Sequence, residues 1–380
     1  MGYVMAKIVL LTYLILVPLA FLNAWKTLCE TGQTLNIPAG KTFVVKPLQL
    51  VGPCKSNNVG IQIDGNIVGP STLSEWADAC KIGQCWLCFL NVKGLVIKGE
   101  GLINGNGPIW WKQETQSIND TDMTCKPPTA LNFHKCDQLQ LSGFTSRDSP
   151  RAHIFIHSSN GVRISNIHLS APEKSPNTDG IDISLSSQVT IQDSFIGTGQ
   201  DPATTDNVEQ VHFQNCICNK STNCARIKTW MGGSGYARAI FFRQMILEQS
   251  QNPIIIDQHY CNGGHNCPAK TGAVKVSNVT FSGITGTSAS EQAITLDCSD
   301  LGCTDILMDH VNITSASGLP LRSVCNKASG KASFTSPPIP CLSSNGSLSS
   351  VIAPISVNLL RPNHSYLSYF GIHAHKTIKA

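Results

Sequence analysis

Between Gly94 and Ile313 one phrase recurs eight times: GLVIKGEGLI, DQLQLSGFTS, NGVRISNIHL, SQVTIQDSFI, VEQVHFQNCI, ARAIFFRQMI, SNVTFSGITG and TDILMDHVNI. Each sets apolar residues two apart, then a polar or glycine position, then another apolar residue. Period-two alternation predicts strands, and recurrence at a coil-like interval predicts strands that stack on one another. The first apolar positions are Leu95, Leu139, Val162, Val189, Val211, Ile240, Val279 and Ile306. Most neighbours lie one coil of roughly 20–30 residues apart, and the longest interval, Leu95 to Leu139, reads as two coils. Hairpin turns of the Asn-Gly type are largely lacking between phrases, which argues against the alternative of an irregular sandwich. The expected fold is all-β, a right-handed parallel β-helix. Its apolar rows stack inside, and outward polar residues are free to line a long groove suited to an extended polymer.

The chain of 380 residues is 41% hydrophobic, enough for a substantial core. Only 14% is charged, so Ser, Thr, Asn and Gly supply most of the polar surface. A net charge of +4, with no Lys/Arg cluster, gives no nucleic-acid footprint. It suits a polyanionic substrate only mildly. Sixteen cysteines fall in near pairs: Cys85 with Cys88, Cys261 with Cys267, Cys298 with Cys303, and Cys325 with Cys341. Paired C-x-x-C blocks of a zinc site are missing, so structural disulfides in an oxidising compartment are expected. Sequons at Asn119, Asn219, Asn278, Asn312, Asn345 and Asn363 agree with that compartment.

At the N-terminus Lys7 is followed by the uncharged run IVLLTYLILVPLAFL, with a weak cleavage position at Ala20. The run is short of the ~20 residues a span needs, so stable membrane insertion is not expected. Residues 1–22 are read as a signal peptide or apolar leader, 23–350 as one β-helix domain, and 351–380 as an atypical tail without the strand phrase. A secreted monomer is the expectation.

Two motifs carry chemistry. SPNTDGIDI, from Ser175 to Ile183, sets Asn177, Thr178 and Asp179 before Gly180, which permits a tight backbone, and leads into a strand phrase. Further on, NCARIKTWMGGSGYARAI holds Arg226 and Lys228 two residues apart, so both point to one face of a strand. Two cations so placed suit carboxylates along a chain, although a solvated basic strand would read the same by composition.

NTDGIDI, RIKTWMGGSGYA and NPIIIDQHYC together resemble plant polygalacturonases of glycoside hydrolase family 28, over roughly Ala20 to Cys341. The resemblance implies a pectin-lyase-like right-handed β-helix that hydrolyses α-1,4 bonds of demethylated pectin with inversion. It implies pectin or polygalacturonic acid as partner, a cell-wall location, no metal and no organic cofactor. Inverting glycosidases need two carboxylates ~6.5–9.5 Å apart, one to protonate the leaving oxygen and one to activate water. In the family these come from the Asp of NTD and from an Asp pair downstream. A Gly-His-Gly histidine tunes the acid, and the RIK cations hold uronate carboxylates. The carry-over assigns catalysis to Asp179 and substrate binding to Asn177, Arg226 and Lys228.

This chain departs from the pattern after Gly199. It reads GTGQDPATTDNVEQVHFQNC where an Asp pair should follow, and it contains no Gly-His-Gly. In one alignment Asp201 is the survivor of a damaged Asp pair and a second catalytic carboxylate. In the other, QDPATTDNVEQ corresponds to the segment after Gly-His-Gly, so both motifs and one coil are missing and Asp201 is a surface residue. The second is favoured, because Val189 and Val211 stand 22 residues apart, a single coil, and a solenoid tolerates loss of a whole coil. The family's first N-terminal phrase is also missing before AFLNAWKTLC. A lone Asp179 leaves hydrolysis several powers of ten down, each acid–base partner contributing ~10²–10⁴-fold. A non-catalytic pectin-binding protein is the rival. A pectate lyase, needing a Ca²⁺ cluster and an Arg base, fits NTDG and RIK poorly.

Overall fold

The computed structural model describes residues 16–114, 126–172, 175–197, 208–260, 272–344 and 372–373. Its strands run parallel and pair coil to coil, forming a right-handed parallel β-helix as expected. One face is a 12-stranded sheet from Thr34–Ile37 to Ser343–Ser344, and a second is a 10-stranded sheet from Thr42–Val44 to Asn312–Ser315. The third face consists of two five-stranded sheets, one spanning Leu48–Val51 to Ile181–Ser184, the other built on Asn223–Trp230.

Each recurring phrase is a pair of strands joined by a corner. GLVIKGEGLI, for instance, supplies Val96–Lys98 to the first sheet and Leu102–Asn104 to the second. The apolar anchors form one ladder, in which Val189 pairs with Val211, Val211 with Ile240, Ile240 with Val279 and Val279 with Ile306. All five are buried. Beside them Phe213, Phe242 and Phe281 stack with centroids 4.9 and 5.2 Å apart.

The interval from Leu95 to Leu139 is one coil, not two, because Val96 pairs directly with Gln140. The extra residues leave the coil as an excursion that carries the helix Pro108–Glu114. An insertion at a corner lengthens the sequence spacing without adding a rung, so spacing alone overcounts coils.

The helix Leu16–Thr31 closes the N-terminal end and runs through the expected boundary at residue 22. Phe21, Trp25 and Leu28 are buried. Phe21 meets Phe43 edge-on, and Trp25 Nε1 donates to the Val51 carbonyl at 3.1 Å. The end of an apolar stack needs such a cover. No described helix is long and apolar enough to cross a membrane.

Three expected cysteine pairs form, Cys85–Cys88, Cys298–Cys303 and Cys325–Cys341. Cys29–Cys54 and Cys218–Cys224 are bonded as well. Cys261 and Cys267 lie outside the described residues. Cys136 and Cys216 are buried thiols, with pKa values that burial pushes up to about 11 and about 12.

Candidate active site

Within each of its two sheets the third face presents its outward residues in rows that continue from coil to coil. On the strand Ile181–Ser184, Ile181 and Ile183 point into the core, which sends Asp182 outward beside Asp179. The turn before it is tightly held. Asn177 adopts φ +55°, a left-handed conformation that Asn tolerates. Thr178 is buried and shares a 2.6 Å hydrogen bond with Ser175 Oγ. The Asp179 carbonyl accepts from His153 N–H at 2.7 Å. Asp179 itself is only 3% exposed, so its carboxylate is fixed rather than swinging in solvent.

On the strand Asn223–Trp230, Ala225 and Ile227 enter the core, so Arg226 and Lys228 share the outer face. Both cations are nonetheless buried, at 7% and 1% exposure. Lys228 lies opposite Asp257 in the register of the neighbouring strand. Arg226 Nη2 donates to Asp257 Oδ2 at 3.3 Å, and Asp257 Oδ1 also accepts from His259 N–H at 3.2 Å. The Lys228 ammonium sits 4.0 Å from the centre of the Tyr260 ring, and the Arg226 guanidinium 5.5 Å from it.

Electrostatics tie the two strands together. Burial pulls the Lys228 pKa down, opposed by the charges of Asp179, Asp182 and Asp257. Asp182 keeps some accessibility but is crowded by protein on all sides. Its pKa is pushed up to about 6 by that burial, against the pull of Arg151 and Lys228. A carboxyl poised there exchanges its proton at mildly acidic pH. Among the described residues no group of three or more His, Cys, Asp or Glu side chains is arranged to hold a metal ion.

The model of the glycosyl hydrolases family 28 matches residues 29–206 and 202–334. The chain belongs to that family. A probable polygalacturonase of Arabidopsis thaliana is 40% identical over 363 residues, covering 85% of this chain and 76% of the relative. The polygalacturonase of Persea americana is 34% identical over 340 residues, covering 81% of this chain and 72% of its own. An endo-xylogalacturonan hydrolase from Aspergillus tubingensis shares the fold with a TM-score of 0.61 at 20% identity, over 86% of this chain and 95% of that one. The exopolygalacturonase from Thermotoga maritima gives a TM-score of 0.59 at 16% identity, over 83% of each chain.

In this family 28 chain, Asn177 and Asp179 precede one strand of the third face, and Arg226 and Lys228 stand on another within electrostatic reach of Asp179. Asp201, the remaining expected carboxylate, lies outside the described residues. Sequence reading passed over Asp182, Asp257, Tyr260 and Arg151. A signal existed for Asp182, because the IDI alternation forces it outward between two core isoleucines. Asp257 and Tyr260 become neighbours of the cations only through the pairing of one coil with the next.

Proposed function

We propose that this chain binds the galacturonate backbone of pectin along its third face and hydrolyses the α-1,4 bonds with inversion, at a rate several powers of ten below that of a complete site. The observation that carries this reading is the convergence of Asp179 and Asp182 with Lys228 on one outer face, each carboxylate acting on that ammonium. The polygalacturonase relatives at 34–40% identity support the substrate class. Arg226 and Lys228 hold uronate carboxylates, which compete with Asp257 for them. Asp179 is the catalytic carboxylate, and Asn177 sets the turn that aims it. Asp182, with a pKa of about 6, is the proton-holding group nearest to it in the chain.

The reduced rate follows from one lost coil, which takes the Asp pair and the Gly-His-Gly with it. Supporting this are the direct pairing of Val189 with Val211 and the family match, which comes in two stretches that meet at residues 202–206. The chain works as a secreted cell-wall monomer with 23–350 as one domain. The apolar leader, the disulfides and the exposed sequons at Asn278 and Asn312 support that placement.

Reducing ends released from polygalacturonate by the purified chain test the reading. Slow release abolished by Asp179→Asn is the expected result. Release that survives Asp179→Asn overturns the catalytic assignment. Binding with no release at all favours the second reading, a non-catalytic pectin-binding protein, which the missing motifs in the sequence already recommend.

A further inference from the structure

The third face is interrupted at one level. Its two sheets end at Ile181–Ser184 and Asn223–Trp230, which do not pair with each other. The other two faces run through that level unbroken. Ser187–Gln192 pairs with Val208–Gln214, which pairs with Tyr236–Arg243. Phe195–Gly197 pairs with Ile217–Asn219, which pairs with Ile246–Ser250. One coil thus gives Val208–Gln214 and Ile217–Asn219 to two faces and, among the described residues, no strand to the third.

Chain length accounts for the gap. Sixteen residues separate Ser170 from Ser187 in the coil before, and sixteen separate Asn219 from Tyr236 in the coil after. Each of those stretches turns two corners and carries a third-face strand. Only ten residues separate Gly197 from Val208. The difference is about the length of one ordinary strand.

Such a gap leaves two facing edges, each a row of backbone N–H and C=O groups open to pairing. Ile372–His373, from the far end of the sequence, lies in it. Ile372 pairs in parallel with Ile227, and His373 with Lys228. On its other side the same strand contacts Ile181–Ser184. A short bridge on an open sheet edge can be adventitious. This one is bounded by strands on both sides, and it occupies the level at which the coil is short of residues. It also stands between the strand of Asp182 and the strand of Lys228, holding them two strand spacings, about 9.5 Å, apart.

We propose that this gap is a strand-accepting site whose occupant is the chain's own Ile372–His373 segment, docked through its backbone as in strand addition to a sheet edge. The docking makes the third face continuous across the short coil, and it is independent of any action on pectin.

Hydrogen exchange of the intact chain tests it. The amides of Ile372 and His373 should exchange at least about tenfold more slowly than in a free peptide of residues 369–376, at a rate that does not change on dilution. Ile372→Pro with His373→Pro removes both donors. In that variant Asn223–Trp230 should exchange at least about tenfold faster, while Cys85–Leu90, on a distant coil of the same face, keeps its protection. Added peptide 369–376 should restore the protection of Asn223–Trp230, and the peptide carrying the two prolines should not. Exchange of Ile372 and His373 at the free-peptide rate in the wild-type chain overturns the docking, whether or not the proline variant folds. Unchanged protection of Asn223–Trp230 in a folded proline variant overturns it as well. Protection that falls on dilution gives the gap to a second copy of the chain and overturns the assignment to the chain's own segment.

Discussion

Asp257 gives Arg226 what a uronate would give it, a carboxylate oxygen at hydrogen-bond distance. Both side chains of the pair are less than a tenth exposed. Removing one member of a buried pair leaves a charge that neither water nor protein compensates. Asp257→Asn, which keeps shape and removes charge, should therefore cost about 3–5 kcal/mol in urea unfolding. An unchanged midpoint would show that the site relaxes around a free guanidinium. His153 makes a second prediction. It is fully buried, its Nδ1 lies 2.8 Å from Ser146 Oγ, and burial pushes its pKa from 6.5 down to about 3. A folded-state value below the unfolded one means its contribution is complete above pH 6.5 and is lost as pH falls toward 3. Asp182 runs the other way, its contribution present below 3.8 and lost as pH rises through about 6. His153→Asn should accordingly flatten the fall of Tm on acidification, read from thermal scans between those values. A variant as acid-sensitive as the wild type would assign the slope to other groups.

Strands and coils set the next scale. The anchors Val189, Val211, Ile240, Val279 and Ile306 were legible because the inward rows of a solenoid repeat one demand, an aliphatic side chain at the same depth in every coil. Most third-face strands were not, the strand of Arg226 and Lys228 excepted. CWLCFL, IFIH and NPIIIDQHY share no phrase, since their outward positions lie outside the common stack. The same difference hid the site. Asp179, Arg226 and Lys228 stand in local motifs, whereas the Lys228–Asp257 pairing exists only across two coils. The excursion carrying Pro108–Glu114 misled the coil count for a related reason: corners are free in length. Two predictions belong here. Phe242 is the middle ring of the Phe213–Phe242–Phe281 stack, so Phe242→Ala should cost about 3–5 kcal/mol, with Phe242→Leu well below that. Equal losses would mean that ring stacking, not filled volume, holds that row. Insertion after Gly199 of a whole coil bearing the Asp pair and Gly-His-Gly should raise kcat by at least ~10²-fold in the reducing-end assay. No gain from a folded insertion variant would count against the reduced-rate reading.

At the scale of the whole molecule, the broad surface is neutral and polar, and the exposed Asn278 and Asn312 sit on it at sequons. Expressed through a eukaryotic secretory pathway, the chain should lose mass on enzymatic deglycosylation, and Asn278→Gln with Asn312→Gln should remove part of the change. An unmodified secreted chain would contradict the placement of those two side chains as accessible acceptors. The direct pairing of Val189 with Val211 has a wider consequence. On the 12-stranded face each rung meets the next through one backbone spacing and one class of inward side chain, so that ladder keeps no tally of its members. A repeat dropped there would leave this apolar ladder unbroken and show on the third face, where Ile181–Ser184 and Asn223–Trp230 belong to separate sheets. Selection for a stable ladder and selection on the outer face then act on different side chains of the same coil.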